Sequence, residues 1–181
     1  MSAPTTHTGS SSHRIYFTTL RYLLDANVLI DADKLYYSID RVPEYWAWLL
    51  HHASAGYVKV PIEIYNEVKV GKDRVAKLVR QERSRLVLQA QVSAASARTV
   101  LNRYGKNLTA AELQKIGQDP FLIAHAASNP NVYCIVTTEV SAVSKRRANR
   151  KIPDVAAELN VQTCDPFQFI RRLDFSTSWV P

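Results

Sequence analysis

The stretch YLLDANVLID, from Tyr22 to Asp31, decides the fold of this chain. A short apolar run, Tyr22–Leu24, is followed by an acid at Asp25, and an apolar pattern with helical spacing begins at Asn27. This order is typical of a buried parallel strand that leads into a helix. In open α/β sheets, ligands bind at the C-terminal ends of the strands, so Asp25 and Asn27 are candidate site residues.

The same alternation continues along the chain. Short β-rich runs predict strands at residues 57–60, 132–137 and 161–163, and segments with helical patterns separate them, among them an alanine-rich helix at residues 89–104. Strands that alternate with helices predict an α/β fold, with a parallel sheet covered by helices on both faces. No internal repeat is present, so residues 20–175 are predicted to form one domain. Residues 1–19, rich in Ser and Thr at their start, are predicted to be a disordered tail.

Composition and charge narrow the classes of function. The chain of 181 residues carries a formal charge of +7 and has a pI of about 9.5, which favours a polyanionic partner, nucleic acid first. Many soluble proteins are equally basic, so charge alone leaves both interpretations open. No apolar run approaches the ~20 residues of a membrane helix, and no secretory signal is recognisable. The two cysteines, Cys134 and Cys164, are expected to be buried free thiols, which favours a cytoplasmic protein.

Four acids occupy comparable positions relative to the predicted elements. Asp25 follows the first strand, Glu67 lies on the helix after the second, and Asp119 begins the helix before the third. Glu139 comes just after that third strand. Because the C-terminal ends of parallel strands meet at one edge of a sheet, these side chains are predicted to converge. Each acid taken alone has a simpler interpretation, as a helix cap, a loop residue or a surface residue.

A cluster of carboxylates supports a particular chemistry. Neighbouring carboxylates repel one another, which raises their pKa values, and a divalent cation relieves the repulsion. Mg²⁺ and Mn²⁺ prefer oxygen ligands, and water activated by such an ion attacks a phosphodiester. The pattern therefore predicts metal-dependent phosphodiester hydrolysis that needs no Ser, Cys or His nucleophile.

Four segments together resemble a known family: LLDANVLID (23–31), VPIEIYNEV (60–68), QDPFLIAHA (118–126) and VTTE (136–139). The chain resembles the PIN-domain ribonucleases, and in particular the VapC-like toxins of bacterial toxin–antitoxin pairs. The resemblance implies a three-layer α/β/α sandwich around a mostly parallel sheet. It also implies cleavage of RNA with Mg²⁺ or Mn²⁺ held by Asp25, Glu67 and Asp119. The same resemblance implies an antitoxin protein that blocks the site and, in many members, a homodimer.

The fourth acid departs from the usual pattern of that family. Members commonly have Thr-x-Asp after this strand, whereas here Thr137 is followed two residues later by Glu139. We take Glu139 as the fourth catalytic and metal-binding acid and Asp154 as its rival. Asn27 is predicted to orient Asp25, and Thr137 to hydrogen-bond an acid or a metal-bound water. Because of the departure, a catalytically inactive PIN-like module that binds RNA or serves as a regulatory scaffold is the alternative.

A basic cluster directly follows Glu139 and suits a substrate that carries phosphates. Its members are Lys145, Arg146, Arg147, Arg150 and Lys151. The alternatives are a solvated surface and a surface that binds an acidic segment of the antitoxin. Asp31 and Asp33 are expected to face solvent and His125 to be packed in the interior. The aromatic residues at 45–48 are predicted to belong to the core or, if exposed, to a dimer surface.

Overall fold

Four short strands, all parallel, form the sheet in a computed structural model that describes residues 20–180. They are β1 (Arg21–Leu24), β2 (Val58–Lys59), β3 (Tyr133–Val136) and β4 (Gln162–Cys164), in the order β2-β1-β3-β4. The predicted parallel sheet is therefore confirmed. The predicted disordered tail, residues 1–19, lies outside the described residues.

Helices cover the sheet and give the three-layer α/β/α arrangement expected from the sequence. Within residues 20–180 the α-helices are α1 (Ala26–Asp31), α2 (Pro43–Ser54), α3 (Ile62–Val68), α4 (Arg74–Gln81), α5 (Arg83–Leu86), α6 (Ala94–Tyr104), α7 (Ala110–Ile116), α8 (Asp119–Ala127), α9 (Ile152–Ala157) and α10 (Pro166–Arg172). A π-helix (Ala32–Tyr36) continues α1, and a 3₁₀ turn (Arg147–Asn149) precedes α9. None of the helices in this part of the chain is long and apolar enough to cross a membrane.

The order of the strands determines where a site can form. From β1 the chain first moves outward to β2 and later crosses to β3 on the other side of β1. The point between β1 and β3 is therefore a topological switch point, where α/β sheets open a crevice at the C-terminal ends of their strands. Leu24 pairs with Val136 in the register, so Asp25 and Thr137 emerge side by side.

An aromatic cluster fills the core beneath α2 and α10. Trp48 is fully buried, contacts Phe169 at 5.3 Å between ring centroids, and donates its indole N–H to the Leu173 carbonyl at 3.0 Å. Tyr45 and Trp46 are also buried. The expectation that these aromatics are core residues is confirmed, and the alternative of an exposed dimer surface is wrong. The predicted buried free thiols are likewise confirmed at both cysteines.

Two local expectations are wrong. The sixth helix, predicted to begin at residue 89, begins only at Ala94, because Ser93 caps it by accepting a hydrogen bond from the Ser96 N–H at 3.0 Å. Asp33 does not face solvent. It accepts the Ile39 N–H at 2.9 Å and pairs with Arg74 at 3.3 Å, beside a cleft of about 540 Å³.

Candidate functional site

Asp25 and Thr137 form the centre of the site at the switch point. The Asp25 N–H donates to the Val136 carbonyl at 3.0 Å, which continues the pairing of β1 with β3 by one residue. The Thr137 hydroxyl donates to Asp25 Oδ2 at 3.0 Å. Both side chains are almost fully buried. The prediction that Thr137 binds an acid is confirmed.

Asp119 is brought to this centre by the turn that begins α8. Gly117 ends α7 with φ 57° and ψ −127°, a conformation that L side chains avoid, and this lets the chain reverse before Gln118. Gln118 is the N-cap of α8 and Asp119 its first residue, so the simpler interpretation of Asp119 as a helix cap is wrong. Its carboxylate accepts instead a long hydrogen bond, 3.5 Å, from the hydroxyl of Tyr104 at the end of α6.

The two glutamates approach the centre from other elements. Glu67 lies in the last turn of α3, which follows β2 after a Pro61 N-cap, and its side chain is exposed. Glu139 lies two residues beyond Thr137 in the loop after β3, and its N–H donates to the Thr137 hydroxyl oxygen at 3.2 Å. Thr137 therefore links the backbone of Glu139 to the carboxylate of Asp25.

The acids perturb one another electrostatically. Burial raises the pKa of Asp25 to about 6, in spite of the hydrogen bond from Thr137, and the charges of Glu139 and Glu67 add to the rise. Burial also raises the pKa of Asp119 to about 8, with further contributions from Asp25 and from the same two glutamates. Burial likewise raises the pKa of Tyr104, which the charge of Asp119 assists. Asp25 and Asp119 thus each lie within electrostatic range of both glutamates and of each other.

The carboxylate oxygens of these four acids are ligands of the kind that a hard divalent cation prefers. Their side chains are not, however, arranged as in a metal site. Carboxylate oxygens are the ligands that Mg²⁺ and Mn²⁺ prefer, and the raised pKa values indicate a negative charge that a cation would stabilise. Within residues 20–180, however, no group of three His, Cys, Asp or Glu side chains has a geometry that could hold a metal ion. Binding of an ion therefore requires side-chain movement, for which the exposed Glu67 is the most obvious candidate.

Both carboxylate oxygens of Glu139 have a bonding partner. One carboxylate oxygen accepts the Lys151 ammonium at 2.6 Å, and the other accepts the Ile152 N–H, at the start of α9, at 2.8 Å. Its rival, Asp154, bonds elsewhere, to the Ser141 hydroxyl and to the Ala142 N–H at 2.9 Å. Glu139, rather than Asp154, is therefore the fourth acid that contributes to the electrostatics of Asp25 and Asp119.

Asn27 does not have the position that its predicted role requires. It is exposed on the first turn of α1, and no side-chain hydrogen bond joins it to Asp25 in the described part of the chain. Thr137 holds the Asp25 carboxylate instead, because the register of β1 with β3 brings the two residues together.

Comparison with protein families identifies a match over most of the chain. A family model described as a domain of unknown function (DUF4411) matches residues 22–177. The chain belongs to this family. No curated protein matches the sequence. The DUF4411 region contains all four acids and the whole of the sheet from Tyr22 onward.

Within the DUF4411 region the predicted basic cluster divides into three parts. Lys145 and Arg146 lie in the exposed loop after β3. Two others form ion pairs within the fold, Arg147 with Glu112 and Arg150 with Glu158. Lys151 pairs with Glu139 of the acidic site itself. The cluster therefore does not form one continuous surface for phosphates.

One pair of side chains on the helices that carry the acids was not predicted from the sequence. His125 on α8 is 2% exposed, as expected of a packed residue, and its Nε2–H donates to Glu63 Oε2 on α3 at 3.1 Å. Glu63 lies one helical turn before Glu67, and His125 lies on the helix that Asp119 begins. This bond thus ties together the two helices that carry two of the acids. The four-residue spacing of Glu63 and Glu67 on one helix face was the only signal in the sequence.

Proposed function

We propose that this protein is a divalent-metal-dependent ribonuclease that hydrolyses RNA phosphodiester bonds. The observation that carries the proposal is the electrostatic coupling of Asp25 and Asp119, which come from distant parts of the sequence to the switch point of the sheet. Buried acids with strongly raised pKa values in a crevice are typical of functional sites, because a fold gains no stability from them. The resemblance of four sequence segments to PIN-domain ribonucleases supports the same proposal.

The residues have distinct roles in this proposal. Asp25 and Asp119, together with Glu67, would hold Mg²⁺ or Mn²⁺. Such an ion supplies Lewis acidity, which makes water a better nucleophile at neutral pH and offsets the charge of the phosphodiester. Thr137 orients the Asp25 carboxylate, and the His125 bond to α3 fixes the distance between the helices that carry the other two acids.

The proposal of RNA as the substrate and the proposal of a toxin role rest on different observations. The formal charge of +7 favours a polyanion, and Lys145 and Arg146 present cationic side chains in the loop that follows Glu139. The toxin role, the antitoxin partner and self-association as a homodimer come from the resemblance to the VapC-like toxins.

Cleavage of RNA tests the proposal. The full chain, with Mg²⁺ or Mn²⁺ added after removal of bound metal, should cleave single-stranded RNA, and EDTA should abolish the cleavage. Asp25→Asn and Asp119→Asn should each lower the rate at least ~100-fold, since each removes a charged oxygen ligand. Asp165→Asn is the matched control, because Asp165 caps α10 through the Gln168 N–H and no hydrogen bond of the described residues joins its side chain to the four acids. Cleavage that persists in Asp25→Asn or in EDTA would overturn the proposal.

Two observations favour a second candidate function, an inactive PIN-like module that binds RNA. The Glu139 carboxylate is already paired with Lys151, and the acids of residues 20–180 do not stand in a metal-binding geometry. Binding of RNA that depends on Mn²⁺, without cleavage of any of several RNAs, would favour this second function over the first.

A further inference from the structure

Two exposed aromatic side chains contact one another beside the acidic site. Tyr36, the last residue of the π-helix, is 51% exposed, and Phe167, in the first turn of α10, is 43% exposed. Their ring centroids lie 5.2 Å apart, with an angle of 79° between the ring planes. In such an edge-to-face pair one ring contributes only its edge, so the faces of that ring are not covered by the other. This aromatic pair, Tyr36 with Phe167, therefore presents an open ring surface to solvent.

The aromatic pair adjoins the candidate site through Thr138. Thr138 lies between Thr137 and Glu139, and with Tyr36 and Phe167 it lines a crevice of about 10 Å³. That volume has room for about one water molecule, so a ligand has to lie on the exposed rings rather than enter the fold. Phe167 is three residues beyond the end of β4, which places it at the same edge of the sheet as the acids.

A cleft with basic side chains begins on the other side of Tyr36. Tyr36 also lines the cleft of about 540 Å³ beside Asp33, together with Lys34 and Arg41. Arg74 of the same cleft is paired with two acids. Lys34 and Arg41 are exposed, and no ion pair among residues 20–180 includes either of them. Two cations next to the aromatic pair are therefore available to contact an anion.

We infer that an unpaired base of a single-stranded RNA stacks on the aromatic pair, and that Lys34 and Arg41 contact phosphates of the neighbouring nucleotides. Proteins that bind single strands combine aromatic rings with a cationic groove, because every base has a π-face and every nucleotide carries a charge. A base inside a duplex is already stacked and cannot reach the rings, so the aromatic pair selects single strands. The choice of RNA as the nucleic acid rests on the proposed function.

Binding of RNA without metal tests the inference. A fluorescein-labelled single-stranded RNA of about 12 nucleotides is titrated with the full chain in EDTA, which prevents metal-dependent cleavage, and the fluorescence anisotropy is measured. Tyr36→Ala and Phe167→Ala should each weaken binding about 5- to 100-fold, the range for loss of one stacked base. Tyr36→Phe and Phe167→Tyr keep an aromatic ring and should bind within about threefold of wild type.

Inorganic polyphosphate separates stacking from charge, because it is a polyanion without bases. In calorimetric titrations the two alanine variants should bind polyphosphate within about twofold of wild type, whereas Lys34→Met should weaken binding of both polyanions. Tyr57→Ala is the matched control for RNA binding. Tyr57 is 38% exposed but precedes β2, at the opposite edge of the sheet from the acids, so its removal should leave the affinity for RNA unchanged. Thermal unfolding checks that each variant is folded.

The outcomes separate this inference from the proposed nuclease. Unchanged affinity for RNA in both alanine variants, or an equal loss of polyphosphate binding, would overturn the inference and leave the nuclease intact. An alanine variant with a lower oligomeric state in analytical ultracentrifugation and unchanged affinity for RNA would assign the rings to contact between two copies of the chain instead. Wild type that binds RNA through the rings but cuts none in Mn²⁺ would overturn the nuclease alone. Wild type that binds no RNA in EDTA or in Mn²⁺ would overturn both.

Discussion

Replacement of Asp119 by Asn should stabilise the folded protein when no divalent ion is present. Burial and the neighbouring acids raise the pKa of Asp119 from the ordinary 3.8 to about 8. Below about pH 4 both the folded and the unfolded state hold the proton, and the residue does not affect stability. Between pH 4 and pH 8 the unfolded chain releases a proton that the folded protein retains, so the free energy of unfolding falls as the pH rises.

The size of the effect follows from the same values. Each pH unit over which the unfolded chain has lost this proton and the folded protein has kept it lowers the free energy of unfolding by about 1.4 kcal/mol. Between the ordinary pKa of 3.8 and pH 7 there are roughly three such units. The upper limit at pH 7 is therefore about 4 kcal/mol. Because Asp119 keeps some contact with solvent, which screens its charge, we expect Asp119→Asn to gain about 1–3 kcal/mol at pH 7. At pH 5 the gain should be below about 1 kcal/mol.

Urea unfolding in EDTA at pH 5 and pH 7 measures this difference. Asp165→Asn is the matched control, because Asp165 also precedes a proline at the start of a helix and accepts the Gln168 N–H at 2.7 Å. Asn caps helices about as well as Asp, so the control should change the free energy of unfolding by less than about 0.5 kcal/mol at either pH. An Asp119→Asn protein that is no more stable than wild type at pH 7 would refute the electrostatic argument.

Substitutions at three further positions are tested by urea unfolding. Thr137→Val keeps the shape of the side chain but removes the hydroxyl that donates to Asp25, and should cost about 1–3 kcal/mol; an unchanged midpoint would contradict the role of that bond. Gly117→Ala places a Cβ at φ 57° and should cost about 1–2 kcal/mol, whereas equal stability would show that the turn relaxes. His125→Leu leaves Glu63 without its partner and should cost about 1–3 kcal/mol, and His125→Gln, which can still donate, should cost less.

The strands of the sheet could be predicted because each is marked by a short run of neighbouring residues in the sequence. β1 is an uninterrupted apolar run that ends in an acid, and the observed Arg21–Leu24 agrees with it. Helix starts with a local signature were also predictable, such as the capping box of Thr109 with Glu112. The start of α6 was not, because the alanine-rich segment before Ser93 has helical composition and only the cap of Ser93 decides where the helix begins.

The sequence predicts which acids belong to the candidate site, but it does not predict which hydrogen bonds and ion pairs they form. Alternation of strands and helices is enough to bring Asp25 and Asp119 to one edge of the sheet. Which basic residue pairs with which acid depends on the path of the loop after β3, and composition does not encode that path. Lys151 was therefore assigned to RNA, and the structure pairs it with Glu139. Asp33 was assigned to solvent for a similar reason, because its partner Arg74 lies far away in the sequence.

The most direct test of the central claim is a crystal of the full chain soaked in Mn²⁺, with the ion located by its anomalous scattering. We expect an ion between Asp25 and Asp119, with an oxygen of Glu67 brought to it by movement of that exposed side chain. Mn²⁺ bound only at other residues, with these carboxylates left without an ion at millimolar concentration, would contradict it.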